Sequence, residues 1–132
     1  MPNEPVWLST EKVLGFNRVL VALSGESFGV VHPGSLESAV ARPRNHWSYG
    51  EEDLAVLAAD LCLSIARSHP FVQRNKRTGF VALDMSLYRN GWRFVLIDAD
   101  EAAQAPVDVL TRDRPERSFV EMVATNVELL DA

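Results

Sequence analysis

Residues 69–80 read HPFVQRNKRTGF. A neutral imidazole accepts a proton near pH 7, so His69 has the chemistry of a general base. The competing reading is a histidine bonded to a carbonyl at a helix end. Pro70 and Phe71 make a stiff turn with a core anchor. Arg74, Lys76 and Arg77 then fall within four positions where a helix begins. Cations are unfavourable at the positive end of a helix considered alone. They suit an anion held by the outward-pointing helix N–H groups, to which Arg and Lys add charge-assisted donors for phosphate oxygens, with Asn75 beside them. Three side chains splayed into water are the alternative. A base beside a phosphate cradle points to transfer of a phosphate-containing group to a hydroxyl.

Two helices must position this loop. Glu51 to about Ser68 is apolar nearly all round, broken only by a stripe of Asp53, Asp60, Ser64 and Arg67. Such a helix is mostly buried. The second runs from about Asn75 to Asn90 and stops at Gly91. Together they predict the central hairpin of an all-α domain with about six helices. Ser9 and Thr10 cap a helix reaching about Leu23. SGESFGVVHPG reads as a loop, and SLESAVAR as a short helix with Ser35 as cap and Glu37 in its first turn. RPRNHWSYG reads as a polar, aromatic-bearing loop. WRFVLI is the one strand-like run; with no partner strand in view it is expected as an extended connector. A short helix is expected from Asp100, broken or kinked at Pro106, and a last one over about Glu116 to Leu130.

The chain of 132 residues, 47% hydrophobic and 23% charged, suits a single globular domain over residues 1–132. No apolar run is long enough to span a bilayer, and MPNEPVWLST lacks a signal-peptide pattern. The single cysteine, Cys62, excludes an internal disulfide and fits a reducing cytoplasm. One cysteine and three scattered histidines argue against structural zinc. A net charge of −5 argues against a nucleic-acid binder.

HPFVQRNKRT resembles the signature of the Fic/Doc superfamily, His-x-Phe-x-Asp/Glu-Gly/Ala-Asn-Gly/Lys-Arg. Its Asn-Lys-Arg-Thr ending is similar to the death-on-curing (Doc) branch. WLSTEKVLGFNRVL, GVVHPGSLESAVARP, YGEEDLAVLAADL and RNGW extend the likeness, in order, over most of residues 7–92. Phe80 replaces the second arginine of the Fic motif, a loss shared with the Doc branch. The resemblance implies a compact helical bundle with the motif between two central helices. It also implies a toxin controlled by an antitoxin, a nucleoside triphosphate such as ATP as donor, and a target hydroxyl on a protein of the translation machinery such as elongation factor Tu. Phosphoryl and nucleotidyl (AMP) transfer both stay open. Carried over by position, His69 would be the base and Phe71 the buried anchor. Asn75, Lys76 and Arg77 would hold phosphate. His46, Trp47 and Tyr49 would fall in the flap that docks target or antitoxin. Ser48 to Glu52 is no convincing copy of the inhibitory helix found in many Fic proteins, which favours control by a separate antitoxin.

Two positions depart from the signature. Gln73 stands where the family has an acidic metal ligand, and an amide oxygen holds magnesium less well than a carboxylate. Arg74 stands where the family has Gly or Ala. One negative charge is lost and one positive gained next door. The departures leave two readings: a transferase with reduced magnesium dependence or another donor, and a binding module that keeps the fold with altered or lost catalysis.

Overall fold

The computed structural model describes residues 3–95, 108–109, 111 and 115–130. Among these, five helices and a two-stranded ribbon follow one another: α1 Thr10–Ser24, α2 Pro33–Ser48, α3 Leu54–Ser68, α4 Asn75–Arg89, β1 Trp92–Phe94, α5 Glu116–Thr125 and β2 Val127–Leu129. The architecture is mostly helical, as expected, with α3 and α4 as its central pair. The helix and break expected around Asp100 and Pro106 lie outside the described residues.

α3 is central because its apolar character runs round almost its whole circumference, so it buries against neighbours on two sides. On one side Ala55, Ala59, Cys62 and Leu63 meet Leu83 and Leu87 of α4, Phe119 and Val123 of α5, and Phe94 of β1. On the other, Leu61 and Ile65 meet Leu8, Val13 of α1, Leu36 and Ala39 of α2, and Phe71. Close contact between α3 and α4 depends on Gly79, where an added Cβ would lie 2.6 Å from the Cys62 carbonyl oxygen.

α1 begins as its sequence predicts, with the Ser9 hydroxyl accepting from Lys12 N–H at 3.2 Å. α3 starts after Asp53, whose carboxylate accepts from Ala55 N–H at 2.9 Å. α4 is followed by Gly91 at φ +87°, a conformation that glycine adopts without a Cβ clash.

Three elements differ from expectation. RPRNHWSYG is not a loop: α2 continues to Ser48, with Pro43 inside it, and begins at Pro33 after His32 rather than at a Ser35 cap. An interior proline costs about 3 kcal/mol in an isolated helix. Here Leu36, Ala39 and Pro43 share one buried face, and packing of that face on α3 carries the helix through. WRFVLI is not a lone connector in its first half, because Trp92, Arg93 and Phe94 pair antiparallel with Leu129, Glu128 and Val127. The last helix ends at Thr125 for the same reason: the residues after Asn126 supply the partner strand.

The stripe predicted on α3 is also less exposed than its composition suggests. Asp60 is 5% exposed and its carboxylate is compensated from α2, with Arg42 Nε donating to Oδ1 at 2.8 Å. His46 Nδ1 lies 2.8 Å from Oδ2, although Oδ2 accepts no well-aligned hydrogen bond. A buried carboxylate left without such partners is strongly destabilising. The pair of contacts therefore fixes α2 on α3.

Candidate active site

The motif occupies the turn between α3 and α4, and four contacts shape it. Phe71 is 2% exposed and sits in the core among α1, α2 and α3 residues, so it anchors the turn. The Asn75 side chain folds back over the turn: Oδ1 accepts from Phe71 N–H at 2.9 Å and Nδ2 donates to Phe71 O at 2.8 Å. Asn17 of α1 reaches in from the other side, with Nδ2 donating to Gln73 O at 2.8 Å and to Thr78 Oγ1 at 3.0 Å. Finally, residues 29–32 run beside the turn. Val31 and His32 N–H donate to Pro70 O, and Val72 N–H donates to Gly29 O.

His69 closes α3 in the left-handed conformation at φ 46°, and Arg74 precedes α4 at φ 62°. A non-glycine residue there costs roughly 1–2 kcal/mol. Backbone strain of this kind is held by surrounding contacts and clusters at functional sites. The His69 side chain is exposed and engages no described residue, so its ring is not tied to a helix-end carbonyl.

α4 has no side-chain cap and no acidic residue in its first turn. Its leading N–H groups therefore lack intrahelical partners and are aligned with the positive end of the helix dipole. Lys76 and Arg77 are exposed in that turn and form no ion pair with a described residue. Arg74 is different. Its Nε donates to Glu26 Oε1 at 2.5 Å, across from the segment that follows α1. The Ser24 hydroxyl and then the Arg74 guanidinium hold the Glu26 carboxyl below the usual carboxylate range.

His69, Phe71, Gln73, Arg74, Asn75, Lys76 and Arg77 lie in one turn, as their spacing predicts. Spacing does not reveal Asn17, Thr78 and Glu26, which join them. An asparagine on the otherwise apolar face of α1, in line with Val13 and Val21, is the available signal for Asn17. His46 and Trp47 lie on α2, where His46 faces Asp60 and Trp47 packs edge to face on Trp7 at 6.2 Å. Tyr49 follows α2 and is 91% exposed. The segment bonded to the motif turn is 29–32.

The donor chemistry does not fit a magnesium ion held by the chain itself. Gln73 offers an amide, the neighbouring Glu26 is paired with a guanidinium, and no three His, Cys, Asp or Glu side chains converge among the described residues.

The two-helix hairpin, with His69 at the close of α3 and Lys76 and Arg77 at the uncapped start of α4, lies within the stretch that is similar to proteins of a known family. The profile of the Fic/DOC family matches residues 7–87, and the chain belongs to that family. It is 38% identical to Toxin Doc of Mycolicibacterium smegmatis over 97 residues, covering 70% of this chain and 73% of that one. It is 29% identical to Protein kinase doc of Escherichia phage P1 over 105 residues, covering 79% and 82%.

Proposed function

We propose that the chain is a Doc-type toxin that transfers a phosphate-containing group from a nucleoside triphosphate to a hydroxyl of a target protein. The carrying observation is the juxtaposition in one pinned turn of an unengaged imidazole, His69, with the uncapped start of α4 bearing Lys76 and Arg77. In this reading His69 takes the proton of the target hydroxyl as its oxygen attacks phosphorus, and the phosphoanhydride bond breaks to release the nucleoside diphosphate in phosphoryl transfer or pyrophosphate in nucleotidyl transfer. The α4 N–H groups, Lys76 and Arg77 hold the phosphates and stabilise the charge that develops. Asn75 shapes the turn through Phe71. Phosphoryl transfer is favoured over nucleotidyl transfer by the relative named a protein kinase and by Phe80 in place of the second arginine.

The relative named Toxin Doc supports an antitoxin as partner. Residues 29–32, already bonded to the turn on one side, and the exposed Tyr49 are the surfaces we assign to target or antitoxin. Elongation factor Tu is the target to test first, and a cytoplasmic setting follows from that choice. No helix among the described residues is long and apolar enough to cross a membrane.

Gln73 and the Glu26–Arg74 pair favour a second reading, a binding module with altered or lost catalysis. Incubating the protein with γ- and α-labelled ATP and a cell lysate separates the readings. Label from the γ position alone in a protein band, absent with His69→Ala, supports a kinase. Label from the α position supports nucleotidyl transfer. No transfer by folded protein from either donor rejects the enzyme.

A further inference from the structure

Asn17 is the polar side chain most deeply placed against the motif. It has no exposed surface, and it lies between Val13 and Val21 on the buried face of α1. Both of its neighbours, the Gln73 carbonyl and the Thr78 hydroxyl, can accept, which sets the amide nitrogen toward them. The cost of that choice falls on Oδ1, which has no hydrogen-bond partner. A buried polar atom left unmatched is destabilising. The two acceptors account for the orientation of the amide, but stability alone gives no reason to bury an asparagine here with one atom unmatched.

The geometry of the turn supplies one. In a trans peptide the carbonyl of one residue and the N–H of the next point in opposite directions, and the described peptide bonds are all trans. Asn17 draws the Gln73 carbonyl toward the core at 2.8 Å. The Arg74 N–H must then point the other way, and it has no hydrogen-bond partner among the described residues. Arg74 itself is left-handed, and a residue with few alternative contacts would relax out of that state. Thr78, four residues on, receives the other hydrogen of the same amide, so one side chain ties the peptide before α4 to the first turn of α4.

We propose that Asn17 is a positioning residue that locks the Gln73–Arg74 peptide with its N–H turned outward, adding a donor to the anion cradle at the start of α4. The inference rests on the cradle reading given above.

The test uses inorganic pyrophosphate as the probe and the backbone amide signals of the whole chain in a 1H–15N spectrum. In the parent protein the Arg74, Asn75 and Lys76 amides shift saturably. Asn17→Leu, close in size but without donors, loses the Arg74 response and binds about tenfold more weakly, as for one lost hydrogen bond to a charged group. Thr78→Val removes the other leg and so also lowers stability, but leaves the Gln73 bond; its Arg74 response persists. Loss of response in Asn17→Leu but not in Thr78→Val supports the lock, because a merely structural role would affect both alike. An unchanged Arg74 response in Asn17→Leu overturns it while leaving the cradle in place. A parent protein whose amides do not move overturns the cradle and the lock with it. Should Asn17→Leu fail to fold, Asn17→Val, shorter and likewise without side-chain donors, carries the same comparison.

Discussion

Glu26 and Arg74 lie 48 positions apart in the chain, yet the carboxylate accepts directly from the guanidinium Nε at 2.5 Å. The pair stands beside the turn that carries His69, Lys76 and Arg77, and it places a negative charge where the proposed ligand is an anion. Like charges nearby disfavour binding. Glu26→Gln keeps the shape and removes that charge, so nucleotide affinity is expected to rise, by about two- to fivefold given how weakly exposed pairs couple. Isothermal titration with ADP measures it, and an unchanged or lower affinity would count against Arg74 as a phosphate ligand. The carboxyl is held below the usual range. The ion pair is therefore present at neutral pH and is lost only as pH falls through that lowered value, so the effect of the substitution is expected to be flat between pH 6 and 8.

His69 separates function from stability. His69→Ala is expected to remove all group transfer with the helical content unchanged. His69→Gly is expected to abolish transfer too, while raising stability by about 1 kcal/mol, because glycine adopts the left-handed conformation freely. Denaturant unfolding beside the labelled-transfer assay tests both halves. Residual transfer in either variant would remove His69 from the role of base.

The contact between α3 and α4 is set by a single missing methyl. Gly79→Ala places a Cβ against the Cys62 carbonyl oxygen, which is main chain and cannot swing aside. The helices must separate, and the expected loss is about 1–3 kcal/mol, the range for overpacked interiors. A thermal melt unchanged from the parent would show that the helices are not held at this distance.

Cys62 is fully buried beneath the same contact, and burial pushes its thiol up to about 12. The thiolate is the reactive form, so the folded protein is expected to resist iodoacetamide at pH 8 and to react once unfolded. Because the folded value is raised above the ordinary 9.0, this group's contribution to stability is complete below pH 9. It is lost as pH rises from there toward 12. Mass spectrometry after alkylation with and without denaturant reads the difference, and rapid labelling of native protein would contradict the burial.

Gln73 and Arg74 predict how the site treats magnesium. With an amide in place of a carboxylate and an arginine beside it, nucleotide affinity is expected to change less than about threefold when magnesium is replaced by EDTA, since Gln73 offers the ion no charge. A loss of tenfold or more would show that another side chain provides one.

Much of this was legible in the residues. The apolar sweep of α3, the glycine stop after α4 and the Ser9 cap are local signals, and the helices stand where those signals put them. Pro43 misled because a proline is a breaker only until packing outweighs it, and the burial of Leu36, Ala39 and Pro43 on one face is a tertiary fact. The ribbon was invisible for a related reason: Trp92–Phe94 becomes a strand only through Val127–Leu129, more than thirty residues on. In the site, the spacing of His69, Lys76 and Arg77 within one segment made them readable. Asn17 and Glu26 belong to it through contacts across 56 and 48 positions, and no spacing rule reaches that far.

Asn75 meets Phe71 through both ends of its amide, and at the far end of α4 Asn90 does the same to Val6, accepting from its N–H at 2.7 Å and donating to its carbonyl at 3.0 Å. Each side chain imitates a peptide group, so α4 is moored at both tips to segments outside itself. A beam clamped at two ends neither slides nor rolls when it is loaded. Whatever must yield to admit a partner is therefore the lighter member alongside, residues 29–32, which meet the turn through three main-chain hydrogen bonds and the packing of Val30.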